Sequence, residues 1–455
     1  MNKKENKISK EIKINKKLAR RNYSNQTGIT LIALVVTIVV LLILAGVSLN
    51  AIFSENGIIK RAQDAQNKMN NAQESDLNAL NDLDKWINNQ VNGTTGGNTT
   101  GGNDNPSTTP KISTLVGKVV DKNTKAEDAY GNKITIPKGF KILEHNPTSN
   151  TGAVTYNYTN LEETGEHIPA VQDGIVIEDT QTGTAGNQFV WVPVGTIKNK
   201  NGSTNTITLG RYEFDSSTGA LKSTTPAQVA SVENCTKIVT ISKGGTDYQE
   251  LSTFREGNSA TNSTAQNATA RNLEEFISTT LANGGYYIAR FEASGTASKI
   301  ASKYNQTVLG NITQPNAAKV AREMYGEVKE NNELVYASDL VNSYAWDTAI
   351  VFIQTDSGKT DYASHNESIT TKAFTATGKN NDKYCNIWDM SGNAYEWTTE
   401  YSTSSHNSNF YPCVRRGGYY DTDSGVAINY TSARSYNNTT YSLSIVSLRS
   451  LLYVK

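Results

Sequence analysis

Hydrophobic residues are concentrated in one long run near the start of the chain. Residues 29–47 read ITLIALVVTIVVLLILAGV, nineteen positions without a charged side chain. A run of roughly 20 apolar residues is long enough to cross a bilayer as a helix. Residues 58–87 then repeat apolar positions at helical spacing, which predicts an amphipathic continuation. The pattern therefore predicts one long helix over residues 29–91.

A polar segment separates this helix from a region with a different pattern. Residues 92–110 contain five glycines and no apolar side chain, a composition typical of a flexible linker. From residue 111 onward, short alternating or apolar runs are separated by turn residues. We predict a single domain over residues 111–455, with a loop-rich insertion at about 196–270.

The runs within this domain predict both strands and helices. Helices are predicted at 272–281 and 338–354, the second capped by Ser338. A mixture of short strands and scattered helices indicates an α+β fold. The predicted strands are 114–120, 133–136, 174–178, 188–194, 285–292 and 414–420.

The formal charge of zero hides an uneven distribution. Residues 1–28 carry nine basic and two acidic side chains, a net charge of +7, so the remainder of the chain carries −7. The neutral total excludes a wholly basic nucleic-acid-binding protein. A basic flank beside an apolar span stays on the cytoplasmic side of a membrane. We expect a single-pass protein of the cell membrane, anchored by residues 29–47, with residues 111–455 outside the cell and no nucleic-acid partner.

The junction between the basic leader and the apolar run, Gly28 followed by Ile29, Thr30, Leu31 and Ile32, resembles the N-terminus of type IV prepilins. The resemblance implies cleavage between Gly28 and Ile29 by a prepilin peptidase, methylation of the new N-terminus, and assembly with other pilins at the cell surface. This chain departs from the family at mature position five, where Ala33 replaces the usual glutamate. The departure indicates a minor or tip subunit, or one that never polymerises. A plain membrane anchor and a structural pseudopilin are the alternatives.

The most specific motif lies near the C-terminus. Residues 386–397 read NIWDMSGNAYEW, and residues 415–419 read RRGGY. Together they resemble the formylglycine-generating-enzyme (sulfatase-modifying factor) family, which has a variant of the C-type lectin fold. The chain departs near its end, where Ser447-Leu448-Arg449 stands in place of Gly-Phe-Arg. We expect Trp388 and Trp397 of the motif to lie in the core.

The resemblance also implies a structural calcium site. Its ligands would be the side chains of Asp389 and Glu396 and the backbone carbonyls of Gly392 and Ala394. Oxygen ligands of this kind suit Ca²⁺, and no organic cofactor is expected. In the alternative interpretation Asp389 caps a turn and Glu396 pairs with an arginine.

The cysteines argue against catalysis. Enzymes of the resembled family use a cysteine pair placed after the RGGS block, whereas this chain has only Cys235, Cys385 and Cys413. We therefore predict that the protein is not an enzyme, although an extracytoplasmic enzyme of the formylglycine-generating type is the alternative. The family fold and an exported location imply a disulfide between Cys385 and Cys413, which leaves Cys235 as a buried apolar residue.

Residues 419–447 have the composition of a binding surface, with five tyrosines, six serines and no lysine or glutamate. Tyrosine supplies rigid amphipathic contact area and small polar residues supply adaptable hydrogen bonds. The segment is similar to the diversified terminal segment of variable proteins of diversity-generating retroelements. We therefore predict an adhesin or receptor for an extracellular protein or glycan; a merely solvated polar edge is the alternative. The predicted ligand-binding residues are Tyr419, Tyr420, Asp421, Asp423, Asn429, Tyr430, Tyr436, Asn437, Asn438 and Tyr441.

Overall fold

The structure is a computed structural model, and the residues it describes form a mostly β domain with few helices. Because strands far outnumber helices in this region, the predicted α+β mixture is present with the β component dominant. The described residues are 109–149, 151–156, 168–250, 270, 272–330, 333–366, 373–406, 409–420 and 430–455.

The elements are numbered here in chain order. The helices are α1 (Ile112–Leu115), α2 (Leu273–Asn283), α3 (Gln314–Glu323) and α4 (Ser343–Asp356), with 3₁₀ turns at Val171–Asp173 and Tyr362–Ser364. The strands are β1 (Thr124–Glu127), β2 (Lys133–Ile136), β3 (Phe140–Ile142), β4 (Val176–Asp179), β5 (Gln188–Pro193), β6 (Gly195–Lys198), β7 (Thr204–Ile207), β8 (Gly210–Arg211), β9 (Gln228–Val229), β10 (Ile241–Lys243), β11 (Thr246–Gln249), β12 (Gly285–Ala289), β13 (Ser294–Thr296), β14 (Lys299–Ala301), β15 (Glu327–Glu330), β16 (Glu333–Leu340), β17 (Lys383–Tyr384), β18 (Ile387–Trp388), β19 (Tyr395–Ser402), β20 (Ser405–His406), β21 (Asn409–Phe410), β22 (Cys413–Arg416), β23 (Arg434–Asn437), β24 (Val446–Leu448) and β25 (Ser450–Val454).

The larger sheet contains seven strands in the order β15-β16-β25-β12-β5-β4-β3. Each neighbouring pair is antiparallel. Strand β5 is buried at every position, as its continuous apolar sequence predicts. Trp191 of β5 lies opposite Tyr287 of β12, with ring centroids 4.9 Å apart.

The smaller sheet contains six strands and carries the C-terminal motif. Its order is β10-β11-β19-β22-β23, and β24 joins it parallel to β19. Gly244 and Gly245 close the β10–β11 hairpin with φ values of 59° and 77°, which is the conformation that a two-residue hairpin turn requires. Tyr248 of β11 pairs with Ser402 of β19, so part of the predicted insertion belongs to this sheet.

Two hydrophobic clusters form the core. The first includes Trp191 and Trp346, and the second includes Trp397 and Leu448. Trp397 is fully buried and Trp388 is 8% exposed, which confirms the expected core position of both motif tryptophans.

One predicted helix begins later in the structure than predicted, and one predicted strand is a helix and isolated bridges in the structure. Residues 338–340 of the predicted helix 338–354 belong to β16, and α4 begins only at Ser343. Its cap is Asn342, whose side-chain oxygen accepts a hydrogen bond from the Ala345 N–H at 2.9 Å, so the predicted Ser338 cap is wrong. The predicted strand 114–120 is instead the short helix α1 followed by isolated bridges.

The predicted N-terminal features lie outside the described residues. These are the helix over 29–91, the membrane span 29–47, and the cleavage point between Gly28 and Ile29. Within the part of the chain that the structure describes, no helix combines the length and the apolar character needed to cross a membrane.

Candidate ligand-binding face

The motif 386–397 begins at a tight turn between β17 and β18. Cys385 and Asn386 have φ values of 46° and 60°, a left-handed conformation that is uncommon for residues other than glycine. The Asn386 amide nitrogen donates to the carbonyl oxygens of Thr155 at 2.9 Å and Gly174 at 3.0 Å. Contacts with a distant part of the chain therefore hold the turn in place.

The two motif carboxylates are buried and hydrogen-bonded. Asp389 accepts from the Gly378 N–H at 3.3 Å and from the Asn380 side chain at 2.9 Å. Glu396 accepts from Arg449 with both oxygens, at 2.6 and 2.9 Å. These are the contacts of the alternative interpretation, in which Asp389 stabilises a turn and Glu396 pairs with an arginine.

The predicted calcium positions do not fit a calcium ion well. Arg449 holds both oxygens of Glu396, and both oxygens of Asp389 already accept hydrogen bonds, from Gly378 and Asn380. Among the described residues, no group of three or more His, Cys, Asp or Glu side chains is arranged to hold a metal ion. Calcium binding at Asp389, Gly392, Ala394 and Glu396 stays a prediction.

The predicted disulfide is not formed, because Cys385 and Cys413 are both free thiols. Cys385 contacts the Gln172 carbonyl oxygen at 3.9 Å, beside the first hydrophobic cluster. Cys413 belongs to the second cluster and contacts Gln314 at 3.8 Å. Burial raises the pKa of both thiols, so neither is an activated nucleophile. Cys235 is buried, as predicted.

Buried ion pairs fix strands β22 and β23 to the rest of the domain. Asp347 of α4 accepts hydrogen bonds from Arg416 and, at 2.7 Å, from Arg434. Glu400 of β19 accepts from Arg434 at 3.0 Å and from Arg211 at 2.7 Å. Burial alone would raise the pKa of Glu400, but Arg434, Arg416 and Arg211 outweigh it and lower the pKa to about 2. Glu400 is therefore charged at neutral pH.

The β22–β23 pair divides the predicted binding residues between two faces, because successive residues of a strand point to opposite sides. Arg415 pairs with Ser435 and donates to its hydroxyl at 3.3 Å, on one face. Arg416 pairs with Arg434 on the other face. Tyr436 follows Arg434 by two positions and shares its side of the sheet.

On the first face, tyrosines pack against a cation. The Arg415 guanidinium lies 4.1 Å from the ring centroid of Tyr395 and 5.2 Å from that of Tyr441. The Tyr419 ring lies 5.0 Å from Tyr395 and 5.6 Å from Tyr420. These contacts stabilise the face, and the three predicted tyrosines in it are half-buried.

On the second face, one tyrosine projects further. Tyr436 is 36% exposed, and its ring lies 6.5 Å from Tyr248 and 6.2 Å from Tyr411. Tyr248 is 2% exposed and donates to the Arg434 carbonyl at 3.3 Å. Beside it, Lys243 donates a hydrogen bond to the Tyr430 hydroxyl. We call the surface of Tyr411, Tyr430 and Tyr436 the Tyr436 face.

The other predicted binding residues have different positions. Asn438 forms a turn, since its side-chain oxygen accepts from the backbone and the hydroxyl of Thr440 at 3.1 and 3.0 Å. Asn437 is half-buried. The positions of Asp421, Asp423 and Asn429 lie outside the described residues.

Sequence reasoning missed the contribution of the insertion to this face. Lys243 and Tyr248 come from the β10–β11 hairpin, and Tyr411 precedes β22. The Gly244-Gly245 pair, between short runs of alternating polarity, is a hairpin signal that could have located the first two. No signal in the sequence indicated that the hairpin would pair with β19.

Comparisons with known proteins give only distant similarities. No family model and no curated protein matches the chain. CarF is similar over 38% of this chain and 87% of its own, at 13% identity and a TM-score of 0.27. Treponema denticola variable protein 1 is similar over 38% of this chain and 85% of its own, at 11% identity and a TM-score of 0.26. The Major Tropism Determinant I1 variant is similar over 76% of this chain and 99% of its own, at 12% identity and a TM-score of 0.26. Scores this low do not establish a shared fold, so the site is assigned from its own contacts.

Proposed function

We propose that the protein is a non-enzymatic ligand-binding protein that contacts an extracellular ligand through the Tyr436 face. The observation that carries this proposal is the position of Tyr436, which is exposed at the end of a cluster whose other members are buried or half-buried. An exposed aromatic ring on a fixed support offers contact area at a low entropic cost. Tyr is also one of the residue types that dominate binding hot spots.

The support beneath this face is rigid. Tyr248 fixes the cluster from below through its hydrogen bond to the Arg434 carbonyl. The Arg434 side chain in turn pairs with Asp347 and Glu400 in the buried network. A tyrosine on a strand held in this way loses little conformational entropy on binding, and this pre-organisation favours affinity.

The described cysteines support the absence of catalysis. Cys413 is buried and Cys385 is half-buried, and desolvation raises the pKa of both. A thiol of this kind is a poor nucleophile at neutral pH. The alternative of a formylglycine-generating enzyme would require an activated thiol, and the sequence has no cysteine after Cys413.

We further propose that the protein is displayed at the cell surface in the manner of a pilin. The support is the sequence pattern of a basic leader, Gly28 and the apolar residues 29–47. Prepilin peptidase and other pilins would be its partners. Mass spectrometry of the mature protein should find an N-methylated Ile29 at the N-terminus; an intact Met1 would instead indicate a plain anchor.

The C-terminal composition also supports diversification of the binding residues. Five tyrosines among residues 419–447 match what adenine mutagenesis of asparagine codons produces. The gene should then have a neighbouring near-repeat that differs only at adenines, together with a reverse transcriptase gene. Sequencing the neighbourhood and finding neither would exclude this part of the proposal.

Binding is tested with the full-length protein in detergent on glycan and extracellular-protein arrays. Tyr436→Ala should lose most binding to any ligand found with the wild-type protein, while its melting temperature stays close to that of the wild type. Leu443→Ala is the matched control, because Leu443 is 44% exposed and lies outside the Tyr436 face. Equal binding by the wild type and Tyr436→Ala would show that the site lies elsewhere.

A further inference from the structure

A small cleft opens beside the Tyr436 face, between the β10–β11 hairpin and β23. Its volume is about 20 Å³, enough for a group the size of one water molecule. Lys243, Ser432 and Arg434 line it, with Lys222 and Glu213 also at its walls. The cleft is therefore small and carries three cationic side chains, while Phe214 and Ile241 form the apolar part of its wall.

One buried hydroxyl in the cleft lacks a hydrogen bond. Ser432 is 2% exposed, and its Oγ has no hydrogen-bond partner among the described residues. A buried hydroxyl without a partner costs roughly 1–3 kcal/mol. Because native proteins seldom leave such a group unsatisfied, this hydroxyl is available to a water molecule or to a polar group of a ligand.

Lys243 places a partly desolvated positive charge in the same cleft. Its Nζ lies 4.7 Å from the ring centroid of Tyr430, to whose hydroxyl it donates. Burial lowers the pKa of Lys243 to about 8, and the nearby charges of Arg434, Arg416 and Lys222 act in the same direction. Repulsion among these cations would be relieved by an anion.

Among the described residues, the acidic side chains in and beneath the cleft do not balance this charge. Glu213 is already paired with Lys222 at 3.0 Å. The network below contains three arginines and two fully buried carboxylates, so it holds an excess of one positive charge. Its members are Arg211, Arg416, Arg434, Asp347 and Glu400. The nearby Glu250 does not compensate fully at neutral pH, because burial raises its pKa to about 7.

The cleft and the exposed ring are adjacent. Arg434 and Tyr436 occupy alternate positions on β23, so their side chains leave the same face about 7 Å apart. Tyr436 also hydrogen-bonds with Thr246, which lies directly opposite Lys243 in the β10–β11 hairpin. A ligand with an anionic group beside a flat apolar surface can reach both.

We infer that this site binds an acidic sugar, with one carboxylate oxygen in the cleft against Lys243 and Ser432 and the sugar ring on Tyr436. The inference rests on the proposed ligand-binding function. Tyr436 favours a sugar over an acidic peptide, because the apolar face of a pyranose ring packs flat on an aromatic ring. Charge complementarity supplies the specificity for the carboxylate.

The experiment measures calorimetric binding of a galacturonic acid oligomer and of its methyl ester to the full-length protein in detergent. The acid should bind roughly tenfold or more tightly than the ester, since a hydrogen bond to a charged group is lost in the ester. Lys243→Met should abolish this preference, and Lys243→Arg should retain part of it. Lys237→Met is the matched control, because Lys237 is exposed and paired only with Glu233 on the surface.

Each outcome decides the matter. Equal binding of acid and ester, unchanged binding by Lys243→Met, or no binding of the acid oligomer would overturn the inference. A poly-glutamate peptide that binds in place of the oligomer would assign the cleft to acidic peptides and overturn it as well. Should Lys243→Met fail to fold, Ser432→Ala serves as the second variant and should weaken binding of the acid but not of the ester. If Tyr436→Ala loses ligand binding while Lys243→Met binds the ligand as the wild type does, the proposed function stands. That result would refute only the binding of the carboxylate in the cleft.

Discussion

Arg449 donates two hydrogen bonds to Glu396, at 2.6 and 2.9 Å, and both side chains are fully buried. Arg449 also donates to the carbonyl oxygens of Ala289 at 2.9 Å and Trp388 at 2.8 Å. One guanidinium thus connects β18 and β19, which hold the two ends of the motif, with β12 of the seven-stranded sheet. Its charge is the main compensation for the buried Glu396.

Replacement of Arg449 by Met should destabilise the domain strongly. The change leaves the Glu396 carboxylate buried without its cation, which typically costs about 3–5 kcal/mol. Urea unfolding followed by tryptophan fluorescence should show a clearly lower midpoint. The double variant Arg449→Met, Glu396→Gln should recover part of the loss, because the unpaired charge is removed. A double variant as unstable as the sum of the two single ones would show that the pair is not coupled.

The melting temperature distinguishes calcium binding at the motif from the alternative interpretation: if Arg449 alone holds both oxygens of Glu396, removal of calcium should leave the melting temperature unchanged. Melting is measured with excess chelator and again with added calcium. A calcium-dependent rise in melting temperature that disappears in Glu396→Gln would support the ion at this position instead. An exposed-site variant such as Glu330→Gln controls for general effects of charge removal.

The free energy of unfolding of the domain should fall at acidic pH because Glu400 becomes protonated. The pKa of this carboxyl lies at about 2 in the folded protein, below the value of about 4.3 for an unfolded chain. A depressed pKa contributes stability that is present above the unfolded value and lost as the pH falls through the folded one. The contribution is on the order of 3 kcal/mol at neutral pH. Unfolding free energies measured from pH 5 to pH 2 should therefore fall, and a flat profile would contradict the network.

The pH dependence of stability that comes from Asp356 should be opposite in sign to that from Glu400. Burial raises its pKa to about 7, and its Oδ2 has no hydrogen-bond partner among the described residues. Because the folded protein holds the proton more tightly, stability should decrease as the pH rises from about 4 towards 7. Asp356→Asn should be more stable than the wild type at pH 8, and the difference should shrink at pH 4. Asn205 keeps its partner in this variant, since it donates to the Oδ1 position.

Gly174→Ala should destabilise the domain through a collision with the motif turn. A Cβ at this position would lie 1.9 Å from the Cys385 carbonyl oxygen, and the φ of Gly174 is +77°. Gly183→Ala separates the two effects, because Gly183 has a φ of +91° but no atom within 4 Å of the added Cβ. Thermal melting should show a small loss for Gly183→Ala and a much larger one for Gly174→Ala. Equal losses would mean that backbone conformation alone accounts for the effect.

The sequence predicted helices and strands correctly where the spacing of apolar residues was clearly that of one element type. Strand β2 matches its predicted bounds, and α2 and β5 lie within a residue or two of theirs. The predicted helix 338–354 merged two elements because apolar positions continue at Leu340, Val341 and Tyr344 on both sides of the short polar pair Asn342-Ser343. Asn342 was the true boundary signal.

The candidate site could be predicted only in part. A segment rich in tyrosine indicated a surface, but the alternation of β22 and β23 sends Tyr436 and Tyr441 to different sides. The disulfide prediction was wrong because pairing in the sheet places Cys413 opposite Asn437 and within the second cluster. Such long-range register depends on packing that no local pattern contains.

Strands β24 and β25 are separated by a single residue, Arg449, yet they belong to different sheets. Strand β25 lies between β16 and β12, which have no other ladder between them. Neither sheet can be completed during translation until residues 446–454 have left the ribosome. Nascent chains that stop before residue 446 should therefore remain protease-sensitive.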